Sequence, residues 1–166
     1  MLGSMKHVRA QTLRTVQGMT LDDLRWRPGP SSNSAGALLI HIGAAQDSWF
    51  NRVILGGSRL WEAEKWYERF HMDPKDFAWG FDRLEAGNAP TLDQILEFLA
   101  RCQESSIAVI KGLTVEKLGD HPASRPDVRL VDIIRHVVAH ESLHQGQIDY
   151  LKGWRERLKA EGKGAA

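Results

Sequence analysis

The chain has 166 residues, with 22 Lys+Arg against 21 Asp+Glu, seven His, six Trp and a single Cys, Cys102. Its length favours one domain over residues 1–166 with a core that needs no staples; the lone cysteine excludes an internal disulfide framework and a Cys-rich zinc module, and points to a reducing, cytoplasmic setting. A formal net charge of +1 leaves no electrostatic footprint for nucleic acid, and no apolar run reaches the roughly 18 residues of a membrane span or forms a signal core at the N-terminus.

Six prolines fall in three groups: Pro28 and Pro30, Pro74 and Pro90, Pro122 and Pro126. Proline breaks helix interiors, so long helices belong between the groups. The first predicted helix covers residues 6–17, marked by Val8, Leu13 and Val16. A second starts at the N-capping run Ser32-Asn33-Ser34 and stops at Gly56-Gly57. It carries Leu38, His41, Ala45, Trp49 and Val53, and its small residues Gly43, Ala44 and Ala45 suit close approach by another helix. Residues 58–89 are the least regular, with Trp61, Trp66 and Trp79, and an aromatic loop of that length suits a lid, a packing flap or a partner surface. Thr91-Leu-Asp-Gln94 reads as a capping box opening a third helix, which runs through Leu99 and Ile107 to Gly112. The fourth runs from Leu130 past Trp154, and the basic stretch 152–163 is expected to continue it and fray. No strand alternation appears. The expected fold class is all-α, a four-helix bundle with long crossover connections.

The fourth helix carries His136, His140 and His144 at four-residue spacing. Such residues lie above one another on a helix, and two imidazoles so placed can share an ion. The outer two stand about 12 Å apart along the axis, too far for all three to bind one ion. The pair is therefore His136/His140 or His140/His144, and His41 on the second helix is the best third ligand. Three neutral imidazoles leave a divalent ion with an incomplete shell, the layout of a catalytic site.

His140-Glu141-Ser-Leu-His144 also fits the H-E-x-x-H pattern, in which the glutamate is a metalloprotease base. No histidine follows His144 to complete that site, and Glu156 is too far along the same helix to reach back. A protease is disfavoured. Glu141 remains a candidate base or supporting group, or else an exposed helix glutamate. Gln147 can hydrogen-bond a ligand at the ion, and Gly146 suits close helix approach. Asp132 can orient the His136 ring, and Trp49 can wall the pocket or serve the core. Cys102 reads as buried and apolar; His7, His71 and His121 read as solvent-facing.

Leu24-Arg-Trp-Arg-Pro28, Asn33-Ser34 leading into Leu38-Leu-Ile-His41, and His140-x-x-x-His144-Gln-Gly-Gln-Ile148 together resemble the DinB-like (YfiT-like) superfamily, over about residues 6–155 and weakly across 58–89. The resemblance implies a four-helix bundle with long connections, commonly a homodimer. It implies a divalent metal, often zinc or nickel, held by three histidines that map to His41, His140 and His144. His136 then matches a position one turn earlier that is often His but not normally a ligand. Where the family often has His-His-Arg-Gly-Gln, this chain has Leu143-His144-Gln145-Gly146-Gln147. The ligand position is kept and neighbouring polar groups are lost. Characterised relatives include thiol S-transferases that use bacillithiol or mycothiol, and a mycothiol-dependent maleylpyruvate isomerase. The implied chemistry is a metal-activated thiolate attacking an electrophile, so the expected partners are a small-molecule thiol and an electrophile. A metal-dependent hydrolase and a non-enzymatic metal-binding stress protein stand as alternatives.

Overall fold

The computed structural model describes residues 1–76 and 79–163. Every regular element among the described residues is helical. Four long helices make the bundle: α1 (Leu2–Val16), α3 (Ala35–Asp47), α6 (Leu92–Lys111) and α7 (Leu130–Ala160). Three short ones sit in the connections: α2 (Leu21–Arg25), α4 (Leu60–Ala63) and α5 (Trp66–Arg69). α7 packs between α1 and α3, and α3 packs on α6.

α1 starts at Leu2, ahead of the predicted start at residue 6. The early turn forms because Met5 is buried against Phe50, Ile110, Ile134 and Val137. α2 was not expected; Thr20 and Asp23 form a capping box that stabilises its five residues. α3 opens as predicted, with the Ser34 hydroxyl accepting the Ala37 N–H at 3.1 Å. It continues as a π-helical stretch, Ser48–Ile54, and the chain turns away at Gly56 with φ of 67°. Gly43 admits α6, since a Cβ there would stand 2.7 Å from the Phe98 ring.

α3 is buried all round except at His41 and Ala45, one turn apart. A helix apolar on nearly every face belongs at the centre of a fold. His41 therefore lies on the one partly open stripe of the helix.

The 58–89 segment is a packing flap at its start. Trp61, Trp66 and Phe70 are buried and pack edge-on or tilted against one another and Phe98 of α6, with centroids 5.2–5.8 Å apart. The buried Asp47 carboxylate ties this flap to α3 by accepting the Leu60 and Trp61 N–H groups at 2.9 and 3.0 Å and the Asn51 amide at 2.8 Å. Burial pushes the Asp47 carboxyl up despite those bonds.

α6 is capped by Thr91 and Gln94 as expected and ends at Gly112. α7 runs to Ala160, and its basic end docks where fraying was expected. Lys152 donates to the Thr15 carbonyl at 2.9 Å, while Arg155 and Lys159 reach Asp23 at 2.9 and 2.6 Å. Cys102 is fully buried and its thiol is pushed well up by burial.

Candidate metal centre

α7 presents a stripe of buried positions that includes Ile134, Val137, Glu141 and Ile148. His140 and His144 lie beside that stripe, half-buried, and face the open stripe of α3. His140 Nε2 stands 3.0 Å from His41 Nε2 and 3.1 Å from His144 Nε2. The three rings are mutually inclined at 56°, 86° and 76° with centroids 4.4–4.9 Å apart, so they converge without stacking. Each offers one nitrogen, and all three nitrogens lie within 4.8 Å of one another.

The protonation states suit a cation. Burial, followed by the charge of neighbouring His144, lowers the His41 pKa to about 4. His140 is likewise lowered to about 4, by burial first and then by His144, His41 and His136. Both are neutral at pH 7. His144 Nδ1 lies 2.7 Å from Gln147 Oε1, an acceptor that calls for the proton on Nδ1 and turns Nε2 towards His140. Three ring nitrogens so close repel one another unless a proton or a cation lies between them. Nitrogens bound at about 2.0–2.1 Å to one zinc-sized ion stand roughly 3.3 Å apart in tetrahedral geometry, close to the separations seen. The three histidines can thus hold a metal ion.

The neighbours differ from expectation in several places. Glu141 is 1% exposed. Its Oε1 accepts from Arg9 Nε at 2.6 Å and from the Thr12 hydroxyl at 3.0 Å, and its Oε2 from Arg9 Nη2 at 3.1 Å. Both oxygens are engaged by α1, so Glu141 is neither an exposed glutamate nor a free base at the imidazoles. The H-E-x-x-H match therefore lacks its glutamate chemistry. Asp132 pairs with Arg129 at 2.8 Å, which holds its carboxyl below the usual range; this takes the place of the expected bond to His136. His136 is exposed, 5.7 Å from His140 between centroids and edge-on to Trp49 at 5.4 Å. Trp49 supports that outer histidine, with Arg125 over its ring at 5.4 Å. Gly146 serves no close helix approach, because nothing lies within 4 Å of where its Cβ would stand. His7, His71 and His121 are exposed, as expected.

Trp79, expected only as part of the aromatic loop, reaches the triad. Its ring stacks on His41, with centroids 4.6 Å apart and planes 21° from parallel. The far end of the aromatic segment thus covers one face of a triad imidazole. The only signal was that aromatic residues crowd an otherwise irregular stretch.

A model of the DinB superfamily matches residues 4–148. The chain belongs to the DinB superfamily. The resemblance carried by the His41 and His140–His144 motifs therefore holds for the family. Among solved structures, this DinB-superfamily chain is similar to a conserved protein from Enterococcus faecalis, with a TM-score of 0.75 and 17% identity over 90% of this chain and 91% of that one. At that identity the likeness is one of fold. No curated protein matches the chain.

Proposed function

We propose that this DinB-superfamily protein is a metal-dependent enzyme in which His41, His140 and His144 hold zinc or nickel, and that it transfers a low-molecular-weight thiol onto an electrophile. One observation carries the reading: three imidazoles converge through Nε2 atoms 3.0 and 3.1 Å apart, with no carboxylate or thiol joining the cluster among the described residues. A structural zinc site would fill its fourth position from the protein; three neutral donors leave room for a substrate. Bound there, the ion would favour deprotonation of a thiol near neutral pH.

The chain's own residues supply the rest. His41 and His140 stay neutral down to about pH 4, so protons do not compete for their nitrogens near neutrality. Gln147 orients His144, and Trp79 shields one face of His41 from water. Cys102 is buried on α6 with a raised pKa and cannot be the nucleophile. The thiol must therefore arrive as a substrate. In the transfer, sulfur forms a bond to the electrophilic carbon, the leaving group departs with its electron pair, and the thiol proton passes to solvent.

The test is to load the protein with zinc or nickel and offer bacillithiol, mycothiol, glutathione or cysteine with 1-chloro-2,4-dinitrobenzene. Thioether and chloride should form in equal amounts, with metal-dependent loss of one thiol. Hydrolysis of an ester or amide without thiol consumption would replace this reading with a hydrolase. Metal uptake with neither activity would leave a binding protein.

A further inference from the structure

A groove of about 630 Å³ runs along α7 beside the triad. That volume lies within the range of small-molecule sites. Gln147 joins the two features: its side chain lines the groove, and its Oε1 holds His144 Nδ1. Leu38, one turn before His41, and Leu143, next to His144, also line it.

The walls say what would fit. None of the described residues lining the groove is Lys, Arg, Asp or Glu. Tyr150 and Trp154 form an aromatic wall, with ring centroids 5.8 Å apart, and Trp26 braces Trp154 from behind at 5.9 Å. Leu143 and Tyr150 lie seven residues apart on one helix face and are 62% and 63% exposed, unusually open for side chains of their size. Glycine is a poor residue inside a helix, yet Gly146 stands between them with nothing for a Cβ to strike. Packing does not require that glycine. Its effect is to leave the groove unobstructed next to Gln147.

We infer that this groove, which lies on the Nδ1 side of His144 and away from the converging Nε2 atoms, binds an uncharged, flat, mainly apolar small molecule. An anion would find no cationic side chain among the lining residues, and a cation no carboxylate. A flat ring would bury itself against Tyr150 and Trp154 and cover Leu143.

The experiment titrates the full chain with N-phenyl-1-naphthylamine, a neutral fluorescent aromatic, and with its anionic relative 1-anilinonaphthalene-8-sulfonate. The neutral probe should bind the more tightly. Gly146→Leu places a side chain in the groove while favouring the helix, and should weaken the neutral probe by about tenfold or more. Tyr150→Ser, at an exposed position, should weaken it in the same direction. Removing bound metal with a chelator should leave probe binding within about twofold. Groove and metal readings therefore fail separately: absence of metal uptake by the wild type strikes the triad alone. Equal affinity for the anionic probe, or no effect of Gly146→Leu, would overturn the groove assignment. So would a dimer that Gly146→Leu dissociates without changing probe affinity, which would give this face to a second copy of the chain.

Discussion

His140 and Glu141 are neighbours on α7, yet they enter polar clusters of opposite kinds. Around Glu141 every strong donor and acceptor is met. Arg9 bonds Glu141, the Gln46 side chain at 2.7 Å and the Leu99 carbonyl at 2.6 Å, while Thr12 adds its hydroxyl. These groups come from α1, α3, α6 and α7, so one guanidinium sets the mutual register of the four long helices. Around His140 the opposite holds, with three ring nitrogens converging and no acidic partner among them. Buried polar groups in folded proteins are normally satisfied. A closed cluster is therefore read as architecture, and a convergent, unsatisfied one as a place kept for something else. The two lie one residue apart because successive helix positions point about 100° from each other, so the closed cluster can hold the frame against which the open one is aligned.

The largest effect should come from opening the closed cluster. Arg9→Ala leaves the Glu141 carboxylate buried without its cation and should cost about 3–5 kcal/mol in urea unfolding. The double variant Arg9→Met/Glu141→Leu should recover most of that loss. If Arg9→Ala changes stability by less than about 1 kcal/mol, the cluster is not the frame. A smaller effect follows from loosening the open cluster. Gln147→Ala frees the His144 ring and should weaken metal binding by about 10–100-fold, or 1.4–2.7 kcal/mol, with the unfolding midpoint of the metal-free protein unchanged. Unaltered affinity in a metal titration would remove Gln147 from the site.

The smallest effect is in pH. His41 and His140 have pKa values of about 4 in the folded protein, against 6.5 in an unfolded chain. Between those values the unfolded chain binds more protons. The stability of the metal-free protein is then fully present above about pH 6.5 and falls as the pH drops towards 4. Both rings are half-exposed, so solvent screening keeps the loss modest. Unfolding measured at pH 7.5, 5.5 and 4.5 should show this slope, and His140→Ala should flatten it. A slope that His140→Ala leaves intact would assign the loss to other groups.

The long helices were legible because proline spacing, the Thr91/Gln94 capping box and the Gly56 and Gly112 stops are local signals. α2 and the π-helical end of α3 were not. The first has only five residues and depends on a capping pair, and the second continues α3 with no local residue signal that sets it apart from an α-helix. The triad was half legible. Spacing selected two overlapping pairs on α7, and only the family resemblance chose between them, because His41 lies 99 residues away in sequence from His140. The burial of Glu141 has a local signal: it stands seven residues from both Ile134 and Ile148, on their buried stripe. Its partner Arg9 is 132 residues distant, a pairing no local pattern encodes. Trp79 was legible only as part of an aromatic loop and its place on His41 was not, since no spacing rule links a loop tryptophan to a helix histidine.

We propose that the open cluster is a metal site built on a frame that stands without it. It is tested most directly by metal analysis of the purified protein beside His41→Ala, His140→Ala and His144→Ala, each followed by circular dichroism. About one divalent ion per wild-type chain is expected, with none retained by the three variants and helical spectra that superimpose. A wild-type protein that takes up no metal, or a His140→Ala variant that keeps its metal and loses its fold, would contradict it.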